Sequence, residues 1–150
     1  MTGGELRRFV AAYNTLYKEM DEVYRALARR FGLSDCAFWV LYVLRESDGP
    51  HTQAEVCETL SLPRQTVNSA LKSMREAGLI RLESAEGNRK NKYILLTGAG
   101  EELAARTADR VLEAECRAFG RFSAAEREEY LRLFGQHIAH MKHETAEDAL

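Results

Sequence analysis

The sequence lacks most of what an enzyme or a membrane protein would display. It has no apolar run of transmembrane length, and its N-terminus is amphipathic and charged, unlike a signal peptide. It has no phosphate loop, no paired carboxylates in a set position and no nucleophile–base motif, so no enzyme is expected. Cysteine is scarce. Cys36, Cys57 and Cys116 are odd in number and lack metal-ligand spacing, so a reduced cytoplasmic setting fits best, with no metal and no cofactor. A strong net charge is also missing: the formal value is −2. Its distribution is uneven, however. Residues 61–97 hold seven Lys/Arg against three Glu, a net of +4, so the remainder carries −6. A basic patch on an acidic body is the electrostatic footprint of a protein that binds nucleic acid through one face. At 150 residues the chain is expected to be one domain with a real core.

What is present is organised around residues 52–97. Thr52 with Glu55 three residues on is a capping box that opens a short helix through Thr59. Leu60, Ser61 and Leu62 make a turn, and Pro63 suits the first position of a second helix, where its missing N–H costs nothing. That helix carries Val67, Ala70, Leu71 and Met74 at helical spacing, and Gly78 stops it. Cys57 and Ala70 are small where the two helices should cross. Residues 79–83 and 93–96 then read as two short strands, joined by a turn over residues 86–92 that bears Arg89, Lys90 and Lys92. This is the layout of a winged helix-turn-helix. The polar face of the second helix has the chemistry of base-edge contact: Arg bonds guanine, Asn and Gln bond adenine, Thr meets a thymine methyl. Arg64, Gln65 and Asn68 are the candidates for bases, and Ser69 and Lys72 for phosphates. Pro63, Thr66 and the cations Arg89, Lys90 and Lys92 complete the expected DNA-binding set.

Long helices flank this segment. From 5 to 31 apolar residues recur at three- and four-residue steps, a helix of ~40 Å that Gly32 ends. Ser34 caps a helix whose residues 37–44 are all apolar, which predicts burial on every side. Asp48, Gly49 and Pro50 form a turn, and the residues around His51 are expected to add a third strand. Thr97 caps a further helix, expected to run unbroken to Gly120, with Gly98 and Gly100 letting its start approach backbone closely. Ser123 and Glu126 form another capping box, ahead of Tyr130, Leu131, Phe134, Ile138 and Met141. The fold class is mainly α with a small sheet: a winged helix over 34–97, with helices 5–31 and 98–145 pairing into a dimerisation lobe of one domain, 1–150. A dimer would cover the surplus apolar surface.

The chain resembles the MarR family of winged-helix transcriptional regulators over nearly its whole length. The residues that carry this are Leu33-Ser34 and Val40-Leu41, Thr52-Gln53, Thr66-Val67-Asn68 with Leu71, Ala77 to Arg81, and Ile94 to Thr97 with Gly100. The resemblance implies a homodimer on a palindromic operator in double-stranded DNA, and repression relieved by a small ligand or an oxidant. The wing departs from the pattern Asp, any residue, Arg: it reads Asn88, Arg89, Lys90, which removes a carboxylate partner for a cation such as Arg81. An aromatic or amphipathic effector is expected against Tyr13, Tyr17, Phe38, Trp39 and Tyr42. Two other readings compete. One is a winged helix used for protein contact without DNA. The other is a thiol sensor at Cys36, in the first turn of a helix whose dipole lowers a thiol pKa. His137, His140 and His143 read as surface residues near a helix C-terminus.

Overall fold

The computed structural model describes residues 3–46, 49–85 and 88–146, with side chains described outside 85–91. Helix α1 spans Gly3–Arg30, and Gly32, at φ 71°, turns the chain out of it. Helix α2 (Asp35–Glu46) starts where the Ala37 N–H donates to Ser34 Oγ. The two-residue strand β1 (His51–Thr52) runs straight into α3 (Gln53–Leu60). The capping box there is complete: Glu55 N–H donates to Thr52 Oγ1 at 3.2 Å, and Thr52 N–H to the Glu55 carboxylate at 2.7 Å. That second bond holds the Glu55 carboxyl below its ordinary range, so its contribution is present near neutrality and is lost as acid protonates Glu55. Ser61 takes a left-handed conformation, φ 50°, between α3 and α4 (Arg64–Glu76).

Strands β2 (Ile80–Ala85) and β3 (Asn88–Leu96) are antiparallel, and β1 lies on the other side of β3, paired at His51↔Ile94 and Thr52↔Tyr93. The expected third strand is therefore there. The expected seven-residue turn is shorter, because Ala85 pairs with Asn88 and the strand already includes the cations. The turn residues Glu86 and Gly87, and Asp48 of the earlier turn, lie outside the described residues.

Helix α5 (Gly98–Arg106) is capped by Thr97, whose Oγ1 accepts from Gly100 N–H at 3.1 Å and donates to the Gly78 carbonyl at 2.6 Å. The helix expected from 98 to 120 breaks once within that span. Thr107 (φ −125°, ψ −86°) separates α5 from α6 (Ala108–Phe119), and its hydroxyl bonds back to Leu103 O. A buried Thr that bonds the carbonyl four residues back bends a helix, a local choice that apolar spacing does not reveal.

The chain divides into two compact units, 1–110 and 111–150. The core of the first gathers Val40, Leu41 and Val43 of α2, Val56 of α3, Val67, Leu71 and Met74 of α4, Ile80 and Ile94 of the sheet, and Leu103, Ala104 and Ala108. Each large side chain fully buried there stabilises the fold by about 1.5–3 kcal/mol. Helix α2 is buried less evenly than expected. Ala37, Phe38, Val40, Leu41 and Val43 are buried, but Trp39, Tyr42 and Leu44 keep part of their surface. The second unit holds the rest of α6 and α7 (Ala124–Glu144), the latter opened by the Ser123–Glu126 capping box. No side chain of α7 is buried within it. Phe119 meets Tyr130 edge to face, and Tyr130 stacks on Phe134.

Candidate nucleic-acid interface

Helix α4 separates its two faces cleanly. Val67, Ala70, Leu71 and Met74 are buried, while Arg64, Gln65, Thr66, Asn68, Ser69 and Lys72 are all exposed. At about 100° per residue, Gln65, Ser69, Lys72 and Glu76 lie within about 30° of the outward direction. Arg64, Asn68 and Arg75 line one flank of that face and Thr66 the other. Arg75 was absent from the set expected from sequence. Its place two turns beyond Asn68 on the same flank was readable from the spacing.

Pro63 is the residue before the helix, not its first residue. At φ −54° and ψ 134° its carbonyl accepts from Thr66 and Val67 N–H, and no side chain caps α4. A proline cannot supply a side-chain acceptor, so the positive end of the helix dipole is left open to an anion such as a DNA phosphate. Two side chains on the outward face already have partners. Ser69 Oγ donates to Gln65 O at 2.9 Å, so the hydroxyl must rotate before it can donate to a phosphate. Lys72 sits 3.9 Å from Glu76 with both side chains well exposed, a pair of at most ~1 kcal/mol that a phosphate readily displaces.

The sheet carries the wing. Its register jumps between Ser84 and Ala85, from Ser84↔Lys92 to Ala85↔Asn88, so residues 89–91 have no opposite number in β2. Arg89 and Lys90 thus lie by backbone in an irregular part of β3, and their side chains fall outside the described residues. Lys92 is exposed next to this irregularity. Arg81 pairs with Glu83 on its own strand. Arg81 thus has a carboxylate partner within β2 although position 88 is Asn.

The aromatic residues expected around an effector divide. Phe38, Trp39 and Tyr42 form one cluster on α2, with Trp39 edge-on to Tyr42 at 5.2 Å. Tyr24, 4.9 Å from Trp39, and Phe31, 6.3 Å from Phe38, complete it from the chain before α2. Neither was singled out from sequence, because both read as ordinary members of the α1 stripe. Tyr13 and Tyr17 pair with each other, 6.4 Å apart, further up α1. A cleft of about 240 Å³ opens elsewhere, between Arg45, Pro50, Ile94, Leu96 and Glu101.

The thiol at Cys36 is the reverse of what its helix position suggests. Burial pushes it above its ordinary value, and nearby Cys57 adds to the effect. Its Sγ lies 3.9 Å from Thr66 O, on α4. A raised thiol pKa means less thiolate at neutral pH, which weighs against a sensor at this residue. Among the described residues, no group of three or more His, Cys, Asp or Glu is placed to hold a metal ion, and no helix is long and apolar enough to cross a membrane.

Comparison with known proteins gives a consistent picture. Residues 26–90 match the model of the MarR family. The chain is 26% identical over 126 residues to the HTH-type transcriptional regulator PecS of Dickeya dadantii (strain 3937), covering 83% of this chain and 74% of that one. A solved MarR family regulator from Neisseria meningitidis is 26% identical with a TM-score of 0.73, over 91% of this chain and 94% of its own. A MarR family transcriptional regulator from Streptomyces coelicolor, solved in complex with DNA, shares the fold at 19% identity and a TM-score of 0.73, over 99% of this chain and 93% of its own.

Proposed function

We propose, on the premise that this chain is a winged-helix transcriptional regulator of the MarR family, that it represses transcription as a homodimer on a palindromic operator and lets go when a small ligand binds. The observation that carries the DNA reading is the outward side of α4. Arginine, glutamine and asparagine side chains stand exposed there while every apolar residue of the helix faces the core. In a dimer, two such helices enter successive major grooves about one helical turn apart. A duplex-binding assay with genomic fragments tests this directly. Asn68→Ala should then relax preference at one base position by ~1–3 kcal/mol, whereas Lys72→Ala should weaken specific and random duplexes alike. Equal losses on both duplexes for Asn68→Ala would move that residue to the phosphate contacts.

The dimer rests on two apolar faces. Leu6, Phe9, Val10, Leu16, Met20 and Val23 of α1 are about half exposed or more within the first unit, and Tyr130, Leu131, Phe134, Ile138 and Met141 of α7 are similarly open in the second. Faces of this extent are larger than a soluble monomer normally leaves in water. Light scattering at micromolar concentration should therefore give twice the chain mass of 17.0 kDa. A folded monomer that binds DNA at full affinity would refute the dimer.

For the effector, the α2 cluster, in which Trp39 and Tyr42 keep part of their surface while Phe38 is buried, favours an aromatic or amphipathic molecule, with Tyr13 and Tyr17 a separate pair further up α1. Such a ligand changes DNA affinity only through its differential affinity for two arrangements of the protein, usually about 5- to 150-fold. Trp39 is the only tryptophan. Its emission should shift when a releasing ligand binds, and Trp39→Phe should change ligand potency while sparing DNA binding. Unchanged emission together with unchanged potency would place the effector elsewhere.

A further inference from the structure

We propose that Arg45 is a positioning latch that fixes the recognition helix α4 by way of α2. Arg45 lies at the C-terminal end of α2. Its Nε and Nη2 donate to the two carboxylate oxygens of Asp109, each at 2.7 Å, and its Nη1 donates to Glu101 at 2.7 Å. A guanidinium that bonds both oxygens of one carboxylate is fixed in direction as well as in distance. The side chains of Arg45 and Asp109 are only 31% and 26% exposed, against 69% and 62% for Lys72 and Glu76, so water screens the latch far less than a surface pair. The Asp109 hydrogen bonds, ahead of its charge and that of Glu101, raise the Arg45 pKa, so the fork stays charged at any physiological pH.

Its location gives the latch leverage. Glu101 is on α5 and Asp109 is on the first turn of α6, either side of the break at Thr107. A continuous helix would hold these two turns in line by its own backbone ladder. Here that ladder is interrupted, and the Arg45 fork spans the interruption. The chain passes into the second unit at Val111, two residues beyond Asp109. At its other end, α2 meets α4: Cys36 Sγ touches Thr66 O, and Val40 and Leu41 share the core with Val67, Leu71 and Met74. From Cys36 to Arg45 the rod is ~14 Å long at 1.5 Å per residue. Ion pairs such as Asp21–Arg25 or Glu129–Arg132 join neighbours on one helix and have no such reach.

The consequence for operator binding rests on the DNA reading above, but the mechanical link does not, so the test reads both. Asp109→Asn, Arg45→Met and the double variant are made in the full chain, with Arg45→Lys as a milder form that keeps the charge but not the fork. Hydrogen exchange without DNA is followed at the amides of Thr66 to Ala70 and of residues 107–112. Each single substitution should speed exchange at α4 by about two- to thirtyfold, and the double variant should add little, because the latch is already open. Arg45→Lys should fall between. Operator affinity should weaken by a similar factor with its salt slope unchanged, since no phosphate contact is removed. If the wild-type chain binds no duplex, the DNA reading fails, and the exchange data alone judge the latch. Faster exchange confined to 107–112, or a double variant equal to the product of the two singles, would overturn it.

Discussion

Operator affinity should fall roughly ten-thousandfold between 50 and 200 mM salt. If each subunit neutralises about four phosphates, a dimer releases the counterions of about eight, and log K falls against log salt with a slope of about −7. A fourfold rise in salt then costs about 10⁴ in affinity. The available groups support that count: Arg64, Lys72 and Arg75 are exposed on α4, Lys92 on β3, and the end of α4 is uncapped. Arg89 and Lys90 extend the set along the wing strand. Residues outside 61–97 carry a net charge of −6, which favours approach of a duplex through the basic segment. Fluorescence anisotropy with a fixed operator across a salt series measures the slope. Affinity that is flat over this range would mean that the basic face does not carry the binding.

Replacing Gly100 with alanine should destabilise the protein by ~3 kcal/mol or more, a large part of the 5–15 kcal/mol typical of a folded domain. A Cβ at this position would lie 2.0 Å from the carbonyl oxygen of Leu79 and 3.0 Å from its carbon. The obstacle is backbone, so no side-chain rotation relieves it. The same Leu79 oxygen accepts the Thr97 N–H at 3.0 Å, and moving it away would break the bond that joins the start of β2 to the end of β3. Gly98, two residues earlier, is the internal control, because a Cβ there meets nothing within 4 Å. Gly98→Ala should leave stability unchanged or raise it by roughly 0.5 kcal/mol. Urea denaturation of the two variants side by side decides the matter, and equal midpoints would contradict the close approach.

The pair also shows what a sequence discloses. Both glycines were readable as residues that let a helix start come near backbone. Which of them does so depends on where Leu79 ends up, some twenty residues away in the chain. The caps at Thr52, Thr97 and Ser123 were legible because donor and acceptor lie within three residues. The outward face of α4 was legible for a similar reason: once four apolar residues define the inward side, the remainder follows from the helical period. The Arg45 fork was not, since its partners are 56 and 64 residues away and nothing local marks Arg45 among the cations. At Cys36 the dipole is a local property of the helix, whereas the burial that raises its thiol comes from elements packed around it and is not legible locally. The wing cations read as a turn because Lys and Asn have low strand propensity; the pairs Ser84↔Lys92 and Ala85↔Asn88 on either side carry the strand through Arg89 and Lys90, although these have no partner in β2.

Thr52 belongs to three things at once. It is a residue of β1 opposite Tyr93, it is the cap of α3 and it is buried. No linker therefore separates the wing sheet from the first helix of the reading pair. Neither can tilt alone without breaking the Thr52–Glu55 hydrogen bonds or the pairing with β3. Wing and helix pair form one stiff body, so in the proposed dimer the freedom to match a bent or overwound operator would come from rotation of one subunit against the other.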